Sequence, residues 1–148
     1  MSKSTIIRTL VFEALQGYKY NNIAIPVFDE IVNPNVPLPS VNGAQEVYIV
    51  LQDQQEYYNA VQNVCHSRTN NDLTIRVVTK WGLIGSKQLC EDISNEILAL
   101  IRTKRGESLL PDSNVQRINL SMSRAISEVT QSNLSFSFIT ILNFIYNA

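Results

Sequence analysis

Near the start of the chain, apolar residues recur at helical spacing: Ile7, Leu10, Val11 and Ala14 form one stripe. Ser2 or Ser4 can cap this stretch and Gly17 can stop it, so a first helix is predicted. From Ile25 to Val32 the pattern alternates weakly, as in a strand, and then enters NPNVPLPS, where Pro34, Pro37 and Pro39 forbid a sheet ladder or a continuing helix. Val47 to Asp53 is a β-branched apolar run. From Leu73 to Trp81 the alternation is clean, with Leu73, Ile75, Val77, Thr79 and Trp81 on one side. These two segments predict strands. The polar stretch 54–71 between them shows neither period and is long for a hairpin connection, so it is expected to be an extended loop with a functional contact.

Ser86 caps a second predicted helix in which Leu89, Ile93, Ile97 and Leu100 form a stripe joined by Cys90 and Ile101, and the basic run RTKRG ends it. The last third reads as a long hairpin. Ile118, Leu120, Met122 and Ile126 alternate in one arm, and Leu134, Phe136, Phe138, Leu142, Phe144 and Tyr146 in the other. Both sets are even-numbered, so a three-residue turn near Gln131 would set Ile126 opposite Phe136 and Ile118 opposite Phe144. The order α-β-β-β-α-β-β defines an α+β domain, a mixed or antiparallel sheet of about five strands packed against two helices.

The closing strand is apolar on both faces over its second half, because Ile139, Ile141 and Ile145 alternate with the phenylalanines. Val47, Ile49 and Leu51 likewise lie opposite Tyr48 and Val50. Two arrangements accommodate this. Either the helices split over both faces around buried central strands, or one face stays bare and is a subunit interface.

A length of 148 residues with 45% hydrophobic and 17% charged residues fits one globular domain and excludes a disordered chain. The formal net charge of −1, with Lys and Arg scattered, argues against a tight non-specific nucleic-acid surface. The N-terminal stretch carries Glu13 and no cleavage-site pattern, so an intracellular protein without a signal peptide is expected. Cys65 and Cys90 form no C-x-x-C pair and are expected to be free thiols.

Candidate chemistry is sparse. His66 is the only histidine, and its neighbour Cys65 cannot easily reach it as nucleophile to base. One histidine and two distant cysteines do not make a zinc site. WGLIGSK departs from the phosphate-loop spacing and reads as the turn before the second helix. Asp53 and Lys80 on successive strands resemble the core of PD-(D/E)xK nucleases, but Val78 stands where that site needs an acidic metal ligand. Arg102, Lys104 and Arg105 suit the negative end of the second helix, or a nucleic-acid backbone. Asp53, Glu56, Tyr57 and Tyr58 open the 54–71 segment as a solvated strand end or a partner contact. No catalytic residue, cofactor or metal is therefore expected. A small ligand-binding or regulatory domain is the other alternative.

The helix IIRTLVFEALQ, the segment IPVFDEIV with its PNVPLPSV approach, the pair EVYIVLQDQ and DLTIRVVTKWG, the helix SKQLCEDISNEILALIRTK and the closing strands together resemble the tail-terminator and tail-completion proteins of tailed bacteriophages. The likeness spans nearly the whole chain. It implies a structural virion protein of the neck or tail, a ring of identical copies around the axis along which DNA passes without sequence-specific binding. It also implies neck, portal-side and tail proteins as partners, no membrane, and head-to-tail contacts closing the ring. For such a ring the interface candidates are Ile139, Ile141, Ile145, Asp53, Glu56, Tyr57 and Tyr58.

Overall fold

The computed structural model describes residues 3–59, 68–104, 115–130 and 133–147. Helices α1 (Lys3–Leu15) and α2 (Gln88–Lys104) accompany strands β1 (Lys19–Tyr20), β2 (Ile23–Ala24), β3 (Val27–Asp29), β4 (Glu46–Asn59), β5 (Arg68–Trp81), β6 (Val115–Val129) and β7 (Leu134–Asn147). The last five strands form one sheet in the order β3-β4-β5-β7-β6. Only β3 and β4 run parallel, so the sheet is mixed and the fold is α+β, with the expected element order apart from the added β1–β2 pair.

Each helix forms where its apolar stripe has a sheet to cover. In α1 the stripe Ile7, Val11 and Leu15 is buried, and Gly17 follows with φ 76°, a left-handed turn that glycine adopts without steric cost. In α2 the Ser86 hydroxyl accepts the Gln88 N–H at 3.1 Å, the cap expected from the sequence. Leu89, Cys90, Ile93, Ile97 and Ile101 point inward.

The inward residues meet one face of the sheet: Val47, Ile49 and Leu51 of β4, Leu73, Ile75 and Val77 of β5, and Phe136, Leu142 and Phe144 of β7. Each such side chain contributes about 1.5–3 kcal/mol on burial. At one end of this core the Trp81 indole N–H donates to the Thr79 hydroxyl at 3.0 Å, and that hydroxyl donates to the Phe136 carbonyl at 3.2 Å. Gly85 lies flat against the indole: a Cβ there would stand 2.5 Å from Trp81 Cγ, so no larger residue fits without moving the ring. WGLIGSK is thus the turn into α2.

Four expectations are corrected. First, the strand expected over Ile25 to Val32 pairs only as Val27–Asp29; Glu30 turns out of the sheet with φ 68°. Second, the hairpin β1–β2 was not anticipated. Its turn residues Asn21 and Asn22 have φ 48° and 65°, the pair of positive values a tight hairpin needs and asparagine tolerates. Third, 54–71 is not a loop throughout. Residues 54–59 and 68–71 extend β4 and β5 into a paired arm reaching Asn59 and Arg68, and only 60–67, with Cys65 and His66, fall outside the described residues. Fourth, the closing hairpin pairs Val129 with Leu134, leaving an even turn of four residues rather than three. A bulge between Leu120 and Met122 then restores the register further along, so Ile118 does face Phe144 but Ile126 faces Ser137 instead of Phe136.

A second bulge lies in β4 between Leu51 and Gln54. There one side chain meets two successive carbonyls, that of Leu51 also accepting the Glu30 N–H at 2.8 Å. Arg8 of α1 donates to the Leu51 carbonyl at 2.5 Å and the Gln52 carbonyl at 2.6 Å while its Nε pairs with the Asp29 carboxylate. Only 13% of that side chain is exposed, so these contacts replace its hydration. Among the described residues no helix is long and apolar enough to cross a membrane.

Candidate functional site: the uncovered face of the sheet

Both helices lie on one side, so they are not split over the two faces of the sheet. The other face is covered by no described element. Cross-strand rows place its residues: Val50, Arg76, Ile139 and Arg124 lie side by side, next to Tyr48, Val78, Ser137 and Ile126. Thr74, Ile141 and Met122 form the following row. Ile139, Ile141 and Ile145 therefore share the open face, as their alternation implied, and each is half-buried among its neighbours.

The face is mixed: Val50 and Ile139 share their row with Arg76 and Arg124, and Val78 and Ile126 share theirs with Ser137. Val50 and Val78 are buried under flanking side chains, whereas Met122 is 42% exposed. Phe28 of β3 stands edge-on to Tyr48, with ring centroids 6.1 Å apart. Toward the Trp81 end, Lys80 Nζ pairs with Glu46 at 3.6 Å and sits 5.8 Å over the Tyr48 ring. Arg76 pairs with Glu128 at 3.6 Å and donates to Ser137 Oγ at 2.9 Å. Toward the arm, Asn143 Nδ2 donates to Asp72 at 2.7 Å and to the Tyr57 hydroxyl at 3.1 Å. Burial, and then the Asp72 carboxylate beside it, raises the Tyr57 phenol above its ordinary pKa. Two buried donors on this face, Arg76 Nε and Asn70 Nδ2, find no acceptor among the described residues. Buried polar groups are rarely left so.

The interface candidates divide. Tyr57 joins the isoleucines on the open face, in the row of Asn70 and Ile145. Glu56 and Tyr58 occupy the alternate positions of β4, in rows shared with the helix side. Asp53 lies in the bulge and is exposed. The sequence reading passed over Arg76 and Asp72. Both occupy even positions of β5, opposite the apolar set, and that alternation was the available signal.

Asp53 and Lys80 do not meet. The Asp53 bulge is level with Thr74 and Lys80 is six positions further along β5, so about 20 Å separates them at ~3.3 Å per residue. The two-residue pairing that the nuclease alternative needs is not made. No cluster of three His, Cys, Asp or Glu residues forms among the described residues. Cys90 is buried, and burial together with the nearby Glu91 carboxylate pushes its thiol up to about 11, away from nucleophilic use at neutral pH. Arg102 and Lys104 lie in the last turn of α2, and Arg105 lies outside the described residues.

A second exposed apolar group sits at the Trp81 end. Leu83 and Ile84 are 86% and 89% exposed in the turn before α2, and Val129 is 80% exposed at the end of β6. The two segments adjoin, since the Leu134 N–H donates to the Gly82 carbonyl at 3.2 Å. No protein-family model matches this chain, and no curated protein matches it.

Proposed function

We propose that the chain is a structural subunit of a bacteriophage virion, a tail-terminator or tail-completion protein whose identical copies close a ring at the neck or tail. The observation that carries this reading is the sheet with both helices on one side and Ile139, Ile141, Val50 and Val78 at the centre of the other. Val50 and Val78 are buried there, but Ile139 and Ile141 are only half-buried and Met122 beside Ile141 is 42% exposed, and apolar surface left open on a sheet supports a contact with another subunit. Two buried donors on it, Arg76 Nε and Asn70 Nδ2, would then find acceptors across the contact.

In this reading the protein works through surfaces and carries out no reaction. The exposed Leu83, Ile84 and Val129 at one end of the sheet supply a rim contact for neck, portal-side or tail proteins. The nearly neutral net charge of −1 suits a ring through which DNA slides, because many phosphate contacts would hold the duplex in place.

Light scattering and negative-stain electron microscopy of the purified full chain test the proposal. One oligomeric species forming closed rings is the expected outcome. A monomer at every concentration reached sinks it, and magnesium- or manganese-dependent DNA cleavage lost on Asp53→Ala would favour the nuclease instead.

A further inference from the structure

Strand β6 is the outermost strand of the sheet, fifteen residues long and bonded only to β7. Leu120 to Arg124 and Ser127 to Thr130 are exposed. The ladder with β7 shows which backbone groups point outward. The Thr130 N–H donates to the Asn133 carbonyl at 2.8 Å, while Leu134, the next residue along, turns its N–H to the Gly82 carbonyl on the far side of β7. From there the register runs unbroken to Met122 opposite Ile141. Even-numbered residues of this stretch therefore bond to β7, and the N–H and C=O groups of Ser123, Ala125, Ser127 and Val129 face away from it. Such an edge is a template for another strand unless proline, lysine or a bulge blunts it. β6 has no proline and no lysine, and its bulge near Ser121 lies outside this stretch.

We infer that β6 pairs with β6 of a second copy, antiparallel about a two-fold axis at Ile126. The outward groups restrict the register, because odd-numbered residues must bond to odd-numbered ones. The charges then choose among the registers left. Centring on Ile126 sets Arg124 of each copy opposite Glu128 of the other, on one face of the joined sheet. Centring on Arg124 or Glu128 would set like charges together, and centring on Ala125 or Ser127 leaves neither charge opposite its counterpart. Even-numbered pairs are the non-hydrogen-bonded ones, whose side chains approach closest. Ile126 thus meets Ile126 across the axis, and the small Ala125 lies opposite Ser127 on the other face. Arg124 forms no ion pair among the described residues. Glu128 remains 62% exposed while pairing with Arg76 at 3.6 Å, so it can accept the second guanidinium. The axis stands perpendicular to the sheet, and the open faces of the two copies form one continuous surface. A two-fold contact is isologous and closes no ring, so this pairing goes beyond the ring proposed above and does not rest on it.

The test uses the full chain carrying Cys65→Ser, which leaves the buried Cys90 as its only native thiol. Across the axis the two Ile126 Cβ atoms are about 4.5–5.5 Å apart, close enough for a disulfide. The two Ser123 positions are about 20 Å apart at ~3.3 Å per residue. Under mild oxidation Ile126→Cys should therefore give a covalent dimer on a denaturing gel without reductant, and Ser123→Cys should not. A dimer from neither, or from both alike, overturns the inference. Two exposed charge changes read the same contact without a thiol. Arg124→Glu and Glu128→Arg should each halve the mass seen by light scattering, with circular dichroism unchanged, and combining them should restore it. Wild-type mass in both single variants overturns the pairing, as does a double variant that stays at half the mass. Rings that persist through every variant with no covalent dimer refute the pairing and leave the ring reading intact. A chain that cross-links through Ile126→Cys and never forms rings supports the pairing and refutes the ring.

Discussion

Ile141 and Leu142 are neighbours in β7 with opposite surroundings. Leu142 is fully buried beneath the helices, in the row of Leu73, whereas half-buried Ile141 lies between Thr74 and Met122 with no described element above it. The backbone ladder is common to both, so any difference between them measures what the helices add. The helix-covered face holds the chain folded. The open face has apolar content that folding does not use in full, which is why it is the candidate contact surface.

The sharpest way to break this comparison is to put the same charge at both positions. Leu142→Asp buries an unpaired carboxylate in the core and should abolish folding, read as loss of the circular dichroism signal. Ile141→Asp should leave a folded monomer that no longer assembles, read by light scattering. If both variants unfold, the open face is core. If Ile141→Asp still forms full-size oligomers, this strand is not in the interface.

A smaller effect is expected from Arg8. Arg8→Ala strips the Leu51 and Gln52 carbonyls of a donor and the Asp29 carboxylate of its partner. A loss of about 1–3 kcal/mol in denaturant unfolding should follow. A loss well below that would mean that water replaces the guanidinium freely and that the bulge needs no clamp.

The mildest test titrates the covered side. Burial pushes the Cys90 thiol from 9.0 up to about 11, and burial together with the Glu96 carboxylate, which accepts the Tyr18 hydroxyl at 3.0 Å, raises the Tyr18 phenol. In both groups the folded state favours the protonated form, so their contributions are complete below the unfolded pKa values and are lost as pH rises past them. Stability to urea should hold up to about pH 9 and then fall through about pH 11. Cys90→Ala and Tyr18→Phe together should flatten that fall, and an unchanged slope would assign it to other groups.

The core was legible where a strand keeps one parity from end to end. In β5 the odd residues from Leu73 to Trp81 face the helices, as the alternation said. The bulged strands were harder to read. In β4 the extra residue near Asp53 exchanges the faces, so the outer half presents polar side chains on both sides and matches no period. In β6 the bulge near Ser121 sends Met122 and Ile126 to the open face while Ile118 and Leu120 stay on the helix side. Even numbers alone had joined all four into one stripe. The bare face was visible in outline, because Ile139, Ile141 and Ile145 needed something beyond two helices to cover them. Arg76 was missed because a strand pattern gives a residue's side and not its neighbours across the sheet.

Trp81 is the chain's single tryptophan, held at one end of the core between the Thr79 hydroxyl and Gly85. Its emission is therefore a local reporter. It will register the turn into α2 coming undone, and docking at Leu83 and Ile84 beside it, while staying blind to the arm at Asn59 and Arg68. Fluorescence and hydrogen exchange should accordingly give different midpoints if the arm frays first. The gap between them would read directly how independent the two ends of the sheet are.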